Sequence, residues 1–472
     1  MTRWVLALFL GAVAGVLAAL EPLADTDMWW HLATGRETLA HGIVGTDIFS
    51  WTVRGAQIST DQWLGQVVMY TSYLLADWRG VALLRVALVV ALVTLIALGA
   101  TRRTTRPLAI VLATLPALLL TRAVWVDRPE LWGFVFFAAS LLLLREGRDG
   151  RPRYLFAVVP MIGLWACIHG SFALGVVLTV IACAEGALRD VARRRAYVAT
   201  ALAAVAITLA TPAGLGTWTA PGYHFFSPPR DIQEWAVVDV RTPLGVAYVI
   251  VLGLFVACVF LGPRVDARAL VLLLPVAFLS LTAARQAPLL AIVAAPLFAE
   301  RSAALLERWM PRAGPTEGPR VWGPWARSDA RVVPVARRAG FGRVGALVVP
   351  VALIAVAFAI TPTTPDERAY PAAVITSIPV GDGTLARYEW GGWLIWRGVP
   401  VFVDGRLTPY SGGVLNDYAR IIAAAPGWEE AIARRGVRTL LVVPTDPVAR
   451  RATDLGWRVL ARSPGSIVIA VP

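Results

Sequence analysis

Long apolar runs separated by short polar loops dominate the first 361 residues of the chain. A helix that crosses a bilayer needs about 20 mostly apolar residues, and the shorter runs here indicate helices that are tilted or packed inside a bundle. We therefore predict a polytopic all-α membrane domain of about eleven transmembrane helices. The predicted spans are 4–20, 80–99, 107–121, 131–144, 154–169, 171–188, 196–212, 244–262, 269–284, 287–299 and 344–361.

Longer polar regions interrupt this pattern and divide the chain. Residues 21–79 and 213–243 predict large loops, and residues 300–343, rich in Pro, Gly and Arg, predict a linker. From residue 384 strands and helices alternate, which is typical of a small α/β domain. The predicted units are a membrane domain 1–299, the linker 300–343, a last transmembrane helix 344–361 and an α/β domain 362–472.

Within the α/β domain, the pattern also predicts individual elements. Residues 387–406 predict two strands around a turn. Helices are predicted at 414–425, 428–436 and 446–456, and buried strands at 439–444 and 466–472.

Composition narrows the class of protein. Hydrophobic residues make up 57% of the 472 residues and charged residues only 16%, whereas a soluble domain has about a quarter charged residues. These figures exclude a disordered chain or a disulfide scaffold. Cys167, Cys183 and Cys258 all lie in apolar runs, which indicates packing roles.

The positive charge follows the loops rather than forming a nucleic-acid surface. All 44 basic residues are arginines, and the net charge is +13. With the N-terminus inside, the cytoplasmic segments hold 23 arginines and the outer loops before residue 362 hold eight. The positive-inside rule therefore predicts a cytoplasmic linker and an extracytoplasmic C-terminal domain, with no nucleic-acid partner.

The strongest chemical signal is an acidic pair directly after the first apolar run. Asp25 and Asp27 stand before two tryptophans in the stretch EPLADTDMWWHL. Two carboxylates one residue apart can share a divalent cation such as Mg²⁺ or Mn²⁺, or place a base against a hydroxyl group. The alternative is an acidic loop with interfacial tryptophans.

Cationic groups stand at other outer helix ends. At these positions the side chains of Arg128, Arg285 and His169 could donate hydrogen bonds to a phosphate group near the membrane surface. The alternative is a snorkelling arginine, or a histidine satisfied by the backbone.

Several short motifs, spread over nearly the whole chain, together resemble the GT-C superfamily of membrane glycosyltransferases, and in particular a poorly characterised bacterial branch of it. The motifs are D-x-D-x-WWHL-x-TG at 25–35, D-x-FS-x-T at 47–52, Trp63-Leu64, Arg128-Pro129, W-x-x-x-HGSF-x-LG at 165–175, TPAG at 211–214, Glu234-Trp235, AARQAP at 283–288, YEWGGWLIW at 388–396 and VFVDGR at 401–406. This resemblance implies a GT-C fold, a place in the bacterial cytoplasmic membrane, and transfer of a sugar from a polyprenyl-phosphate-linked donor to a hydroxyl outside the membrane.

The resemblance also implies roles for particular residues. Asp25 and Asp27 would be the catalytic acidic residues, acting as base or as metal ligands. The residues expected to bind the donor phosphate or substrate are His31, Arg128, His169, Glu234 and Arg285.

A C-terminal segment resembles the acceptor-recognition motif of oligosaccharyltransferase catalytic subunits. Tyr388, Glu389 and Trp390 correspond to part of that motif, but Arg387, Glu389 and Trp390 depart from its residue types. Packing of this segment onto the membrane face is the alternative. Asp404 and Arg406 are further candidates for binding the acceptor. The alternative is that they only form a turn with an ion pair.

Three functions are consistent with these features. The first is a glycosyltransferase whose partners are the bilayer and a polyprenyl-phosphate sugar. The others are a transporter or flippase of lipid-linked material, and a non-catalytic membrane scaffold. The sequence leaves open the donor sugar, the acceptor (lipid, polysaccharide or protein), metal dependence and oligomeric state.

Overall fold

A computed structural model shows a mostly helical chain with one small sheet. It describes residues 3–226, 234–310, 341–381, 383–406, 409–410 and 412–472. The helices of the first 360 residues are α1 Arg3–Ala19, α2 Met28–His41, α3 Trp63–Thr101, α4 Pro107–Thr121, α5 Glu130–Arg148, α6 Arg153–Ile168, α7 Phe172–Arg189, α8 Arg194–Ala206, α9 Thr219–Phe226, α10 Pro243–Phe260, α11 Ala267–Ser280, α12 Ala287–Trp309 and α13 Phe341–Ile360.

Each of the eleven predicted spans coincides with one of these helices. Among the described residues, five helices are long and apolar enough to cross a membrane, and a bent pair, Val191–Ala210 with Gly214–Tyr223, would add a sixth. Four more apolar helices have 10–17 residues. The chain is thus a multi-pass membrane protein, while the count of eleven spans stays a prediction. Helix α12 continues to Trp309, into the predicted linker, most of which lies outside the described residues.

Lipid-facing surface is visible on these helices. On α4, the side chains of Leu112, Leu115 and Leu119 are 41%, 45% and 61% exposed. Leucines at a spacing of three and four residues form one helix face, and an exposed apolar face of this kind suits the hydrocarbon of a bilayer. The opposite face of α4, with Ala109 and Ala113, packs into the bundle.

Several ion pairs of the helical region fall into two groups that match the predicted topology. One group joins residues of predicted outer loops, and the other joins residues of predicted cytoplasmic segments. The first group contains Glu21–Arg122, Asp25–Arg128 and Glu130–Arg285, and the second contains Glu146–Arg102, Glu185–Arg148 and Glu307–Arg106.

The first loop contains a helix that the apolar pattern did not predict. Helix α2 begins where the Asp25 carboxylate accepts the backbone N–H groups of Asp27 and Met28, at 2.8 and 3.3 Å, which satisfies donors that a helix start leaves unpaired. It ends at His41, and the N–H of the following Gly42 donates to the Thr38 carbonyl. Helix α3 then begins at Trp63 and has non-helical backbone at Ala76 and Asp77, so the chain turns before it enters the bundle.

The sheet has the strand order β1-β2-β4-β3, with β1 Thr384–Ala386, β2 Thr439–Val442, β3 Val459–Arg462 and β4 Ile467–Ala470. Strands β1 and β2 are parallel, while β4 is antiparallel to both β2 and β3. The predicted strands at 439–444 and 466–472 are confirmed. The three helices predicted in this region form as α15 Val414–Ile422, α16 Trp428–Arg435 and α17 Pro447–Asp454.

The two predicted strands at 387–406 are wrong. Residues 391–396 form the short helix α14, Gly391–Trp396. Val401 makes a single parallel bridge to Ser50 instead. Trp393, Leu394 and Ile395 are all buried, so this stretch has no alternation of buried and exposed positions, and an apolar run of this length cannot by itself be assigned to strand or helix.

Both faces of the sheet are covered. Leu440 and Ile469 pack with α15, α16 and α17 on one face, while the alternate residues Leu441 and Val468 pack with α2 and α14 on the other. Successive residues of a strand point to opposite faces, so these apolar strands separate two cores. The C-terminal sheet thereby shares a core with the loop that follows α1.

Candidate active site

Asp25 and Asp27 lie on either side of the Arg128 guanidinium group. Arg128 Nε donates to Asp25 Oδ2 and Nη1 donates to Asp27 Oδ2, both at 2.9 Å. The other oxygen of Asp25 accepts the two backbone N–H groups at the start of α2. Asp25 is therefore engaged through both oxygens, and its side chain is only 4% exposed, whereas that of Asp27 is 21% exposed.

The environment of Asp27 favours proton exchange near neutral pH. Burial raises the pKa of Asp27 to about 7; the positive charge of Arg128 opposes this rise, and the negative charge of Asp25 adds to it. A carboxyl group whose pKa is close to the working pH is an effective general base. Of the two acidic residues, Asp27 thus has the properties of a proton acceptor.

Glycines of the C-terminal segment lie directly against the acidic loop. A Cβ atom at Gly405 would be 2.1 Å from Asp27 Oδ1, and one at Gly392 would be 2.6 Å from the carbonyl oxygen of Thr26. No side chain fits at such distances, so the backbone at 405 forms one wall of the Asp27 environment. The site is built by two segments that are far apart in the sequence.

Glu234 links Arg128 to a second arginine. Its carboxylate lies 3.5 Å from Arg128 Nη1 and 3.2 Å from Arg285 Nη1. Arg285 also donates to Glu130 at 2.6 Å and lies over the Trp235 ring at 4.3 Å. Acidic and basic side chains therefore alternate across the site. An anion that replaced Glu234 could accept hydrogen bonds from both guanidinium groups.

Two histidines complete this region. His31 is buried on α2 with its Nδ1 3.3 Å from Gln66 Nε2. Burial, together with the positive charge of Arg128, lowers the pKa of His31 well below its usual value, so the ring is neutral at neutral pH. His169 Nδ1 accepts the backbone N–H of Ser171 at 3.1 Å, so Nε2 is the ring nitrogen that can donate.

The acceptor-side candidates divide between the site and the scaffold. Tyr388 is half-buried, and burial and the negative charges of Asp27, Asp404 and Glu234 raise the pKa of its phenol, so it remains a donor beside the site. Trp390 is buried and donates to the Ala369 carbonyl at 2.8 Å. Glu389 is exposed and pairs with Arg387 at 3.2 Å.

Asp404 and Arg406 belong to a buried ion-pair network beneath the site. Arg406 donates to Asp404 and to Asp47, each at 2.6 Å, and both carboxylates are fully buried. Asp47 also accepts the backbone N–H of Ser50 at 3.1 Å, and Thr52 donates to the Phe402 carbonyl at 2.7 Å. The D-x-FS-x-T motif thus anchors the VFVDGR segment and, with it, Gly405.

The residues present do not fit a divalent cation between Asp25 and Asp27. The Arg128 guanidinium already supplies the positive charge between the two carboxylates. Over the residues that the structure describes, no group of three or more His, Cys, Asp or Glu side chains is placed to hold a metal ion.

Sequence reasoning missed three residues of this region. Glu130 pairs with Arg285, and Gln66 contacts His31. Asp61 is buried beside Gly170, and a Cβ atom at position 170 would be 2.6 Å from Asp61 Oδ2. Each stands within three residues of a recognised motif: Glu130 after Arg128-Pro129, Gln66 after Trp63-Leu64, and Asp61 before it. In a largely apolar chain, a polar residue this close to a motif is the sequence feature that could have indicated these three positions.

The arrangement matches solved structures at the level of the fold. Neither a protein-family model nor a curated protein sequence matches the chain. The oligosaccharyltransferase of Archaeoglobus fulgidus, tethered with an acceptor peptide containing the NVT sequon, is 13% identical with a TM-score of 0.57, over 94% of this chain and 69% of that one. The oligosaccharyltransferase AglB of the same organism, in complex with an inhibitory peptide and a dolichol-phosphate, is 11% identical with a TM-score of 0.56, over 92% of this chain and 68% of that one.

The similarity extends over nearly the whole chain, including both the helical bundle and the C-terminal sheet. At this level of identity it establishes the architecture. The chain therefore has the fold of these oligosaccharyltransferases, in agreement with the GT-C fold that the sequence resemblance implies.

Proposed function

We propose that the protein is an integral-membrane glycosyltransferase. It moves a sugar from a polyprenyl-phosphate-linked donor to an extracytoplasmic hydroxyl group of a lipid, polysaccharide or protein. One observation carries this proposal: Asp27, with a pKa raised to about 7, is held against Arg128 beside a second arginine and two histidines.

Asp27 is the base in the proposed reaction. The oxygen of the acceptor hydroxyl attacks the anomeric carbon of the sugar while the bond from that carbon to the phosphate oxygen breaks. The electron pair leaves with the polyprenyl phosphate, and the Asp27 carboxylate takes the hydroxyl proton. Asp25, engaged through both oxygens, holds Arg128 and the start of α2 in place.

The arginines stabilise the leaving phosphate. Negative charge grows on the phosphate as the bond breaks, and preorganised donors placed at that charge lower the barrier. Arg128 and Arg285 now share Glu234, and a phosphate group, with more charge and more acceptor oxygens, would take its place. His31, whose ring is neutral, supplies a further donor without adding charge.

The neighbouring structures support the substrate class. One solved oligosaccharyltransferase of this fold carries a dolichol-phosphate, which is a lipid-linked phosphate, and another carries an acceptor peptide. For this chain we propose the bacterial cytoplasmic membrane, with the N-terminus inside and the C-terminal sheet outside, as the arginine distribution predicts.

Purified protein in nanodiscs tests the proposal. A panel of polyprenyl-phosphate sugars is added, and binding and turnover are followed by mass spectrometry for wild type, Asp25→Asn/Asp27→Asn, and Asp239→Asn in an exposed loop as the matched control. We expect one donor to be bound by all three proteins, and to be hydrolysed or transferred by wild type and the control only. Turnover by the double variant at the wild-type rate, or binding of no donor by any protein, would overturn the proposal.

A further inference from the structure

A cavity of about 400 Å³ opens at the opposite end of the bundle from the candidate active site. It lies among the ends of α1, α3, α4 and α12, which are predicted cytoplasmic. Four arginines and two glutamates are among the residues that line it: Arg3, Arg102, Arg103, Arg106, Glu300 and Glu307.

The positive charge of this cavity is only partly neutralised. Among the lining residues that the structure describes, four arginines exceed two glutamates by two charges. Arg103–Glu300 and Arg106–Glu307 are long contacts of 3.5 and 3.4 Å, and the glutamates are 45% and 66% exposed. Exposed pairs of this kind are weak, so a multiply charged anion can compete for both guanidinium groups.

Arg102 has a shared partner. Glu146 contacts it at 3.0 Å and contacts Arg151 at 2.5 Å. One carboxylate thus serves two arginines, and the cavity retains its excess of positive charge.

The position of the cavity indicates the source of the anion. Helix α3 ends at Thr101 and α4 begins at Pro107, so the lining residues lie at the ends of two predicted transmembrane helices, where the membrane surface is expected. The N-terminal ends of α1 and α4 point toward this region, and helix N-termini favour negative charge. Basic pockets between transmembrane helices on the cytoplasmic side suit the head groups of anionic lipids.

We propose that this cavity binds the phosphate head group of an anionic phospholipid. Arginines form forked hydrogen bonds with phosphate oxygens, and the volume exceeds that of a bare phosphate, which leaves room for the glycerol portion of the head group. The ligand is a structural lipid of the inner leaflet, and it is independent of the sugar donor on the other side.

Native mass spectrometry of the full chain with dioleoyl phosphatidylglycerol and dioleoyl phosphatidylcholine tests this site. Wild type is compared with Arg102→Gln/Arg103→Gln/Arg106→Gln. The matched control is Arg193→Gln/Arg194→Gln/Arg195→Gln, which removes the same charge from another predicted cytoplasmic segment. We expect wild type and control to retain one phosphatidylglycerol in preference to phosphatidylcholine, and the first variant to retain it at least tenfold less.

A second variant, which increases the positive charge of the cavity, keeps the test decisive if the arginine variant unfolds. Glu300→Gln/Glu307→Gln raises the excess charge of the cavity, so retention of phosphatidylglycerol should increase. Competition with glycerol 3-phosphate and inorganic phosphate distinguishes the two sources of phosphate. Equal loss of lipid in both arginine variants, unchanged retention in the glutamate variant, or binding of free phosphate without retained lipid would overturn the proposal.

Discussion

At the residue scale, two carboxylates separated by one residue have different environments. Asp25 accepts hydrogen bonds through both oxygens, while Asp27 keeps an oxygen directed toward Gly405. The sequence could identify the acidic pair but could not choose between its members, because the wall against Asp27 comes from a segment near the other end of the chain. The same long-range packing explains why Glu130 and Gln66 escaped sequence reasoning.

The raised pKa of Asp27 predicts a pH dependence. The base must be ionised, so kcat should rise with pH through about 7 and then level off, since burial raises the pKa of Asp27 to about 7. A pH–rate profile on the donor identified above measures this. Asp27→Asn should be inactive throughout the range, and a wild-type profile that is flat from pH 5 to pH 8 would assign the base to another group.

Gly405 predicts a positional effect on Asp27. In Gly405→Ala, the new methyl group would meet Asp27 Oδ1 at 2.1 Å and displace it, and a misplacement of about 1 Å can lower kcat by about 10²-fold. Donor binding should change little, because Asp25 still holds Arg128 and Glu130 still holds Arg285.

A matched glycine controls for this change. A Cβ atom at Gly465 meets nothing within 4 Å, so Gly465→Ala should keep the wild-type kcat. Steady-state kinetics of both variants separate kcat from KM. If Gly405→Ala changed KM alone, Gly405 would contact substrate rather than position Asp27.

At the element scale, the strands could be predicted from sequence where nearly every residue of the strand is buried. TLLV and IVIA are apolar β-rich runs, and both form strands buried on two faces. Helix α2 was missed because its sequence, MWWHLATGRETLAH, mixes buried aromatic residues with polar ones, and its burial depends on the sheet and α14. The local pattern of apolar and polar residues does not reveal tertiary contacts of this kind.

The Arg406 network predicts that the first loop and the C-terminal segment are stabilised together. In Arg406→Met, the buried carboxylates of Asp47 and Asp404 lose their cationic partner, and removal of one member of a buried pair costs about 3–5 kcal/mol of unfolding free energy. Arg397→Met removes a solvent-exposed pair with Glu367 and should cost about 1 kcal/mol or less. Denaturant titration in detergent compares them, and equal losses would show that the network contributes no more than a surface pair.

At the scale of the whole molecule, the arginine distribution and the fold agree with each other. Residues assigned to outer loops from charge alone meet in the candidate site, and those assigned to the cytoplasm surround the basic cavity. The apolar runs could be found from sequence because a bilayer imposes a length and composition on each span. The number of true spans is harder to predict, since α6 and α11 have only 16 and 14 residues.

Orientation in the membrane is the prediction of largest scale, and cysteine labelling tests it. In a chain whose three native cysteines are replaced by alanine, Val380→Cys places a thiol at a fully exposed position before the sheet, and Asp149→Cys places one after α5. A membrane-impermeant maleimide should label the first in intact cells and the second only after permeabilisation. Asp149→Cys removes a negative charge from the predicted cytoplasmic side, so the substitution does not weaken the positive-inside bias. The reverse labelling pattern would place Asp27 and its arginines on the cytoplasmic face, so the acceptor would have to be a cytoplasmic hydroxyl group.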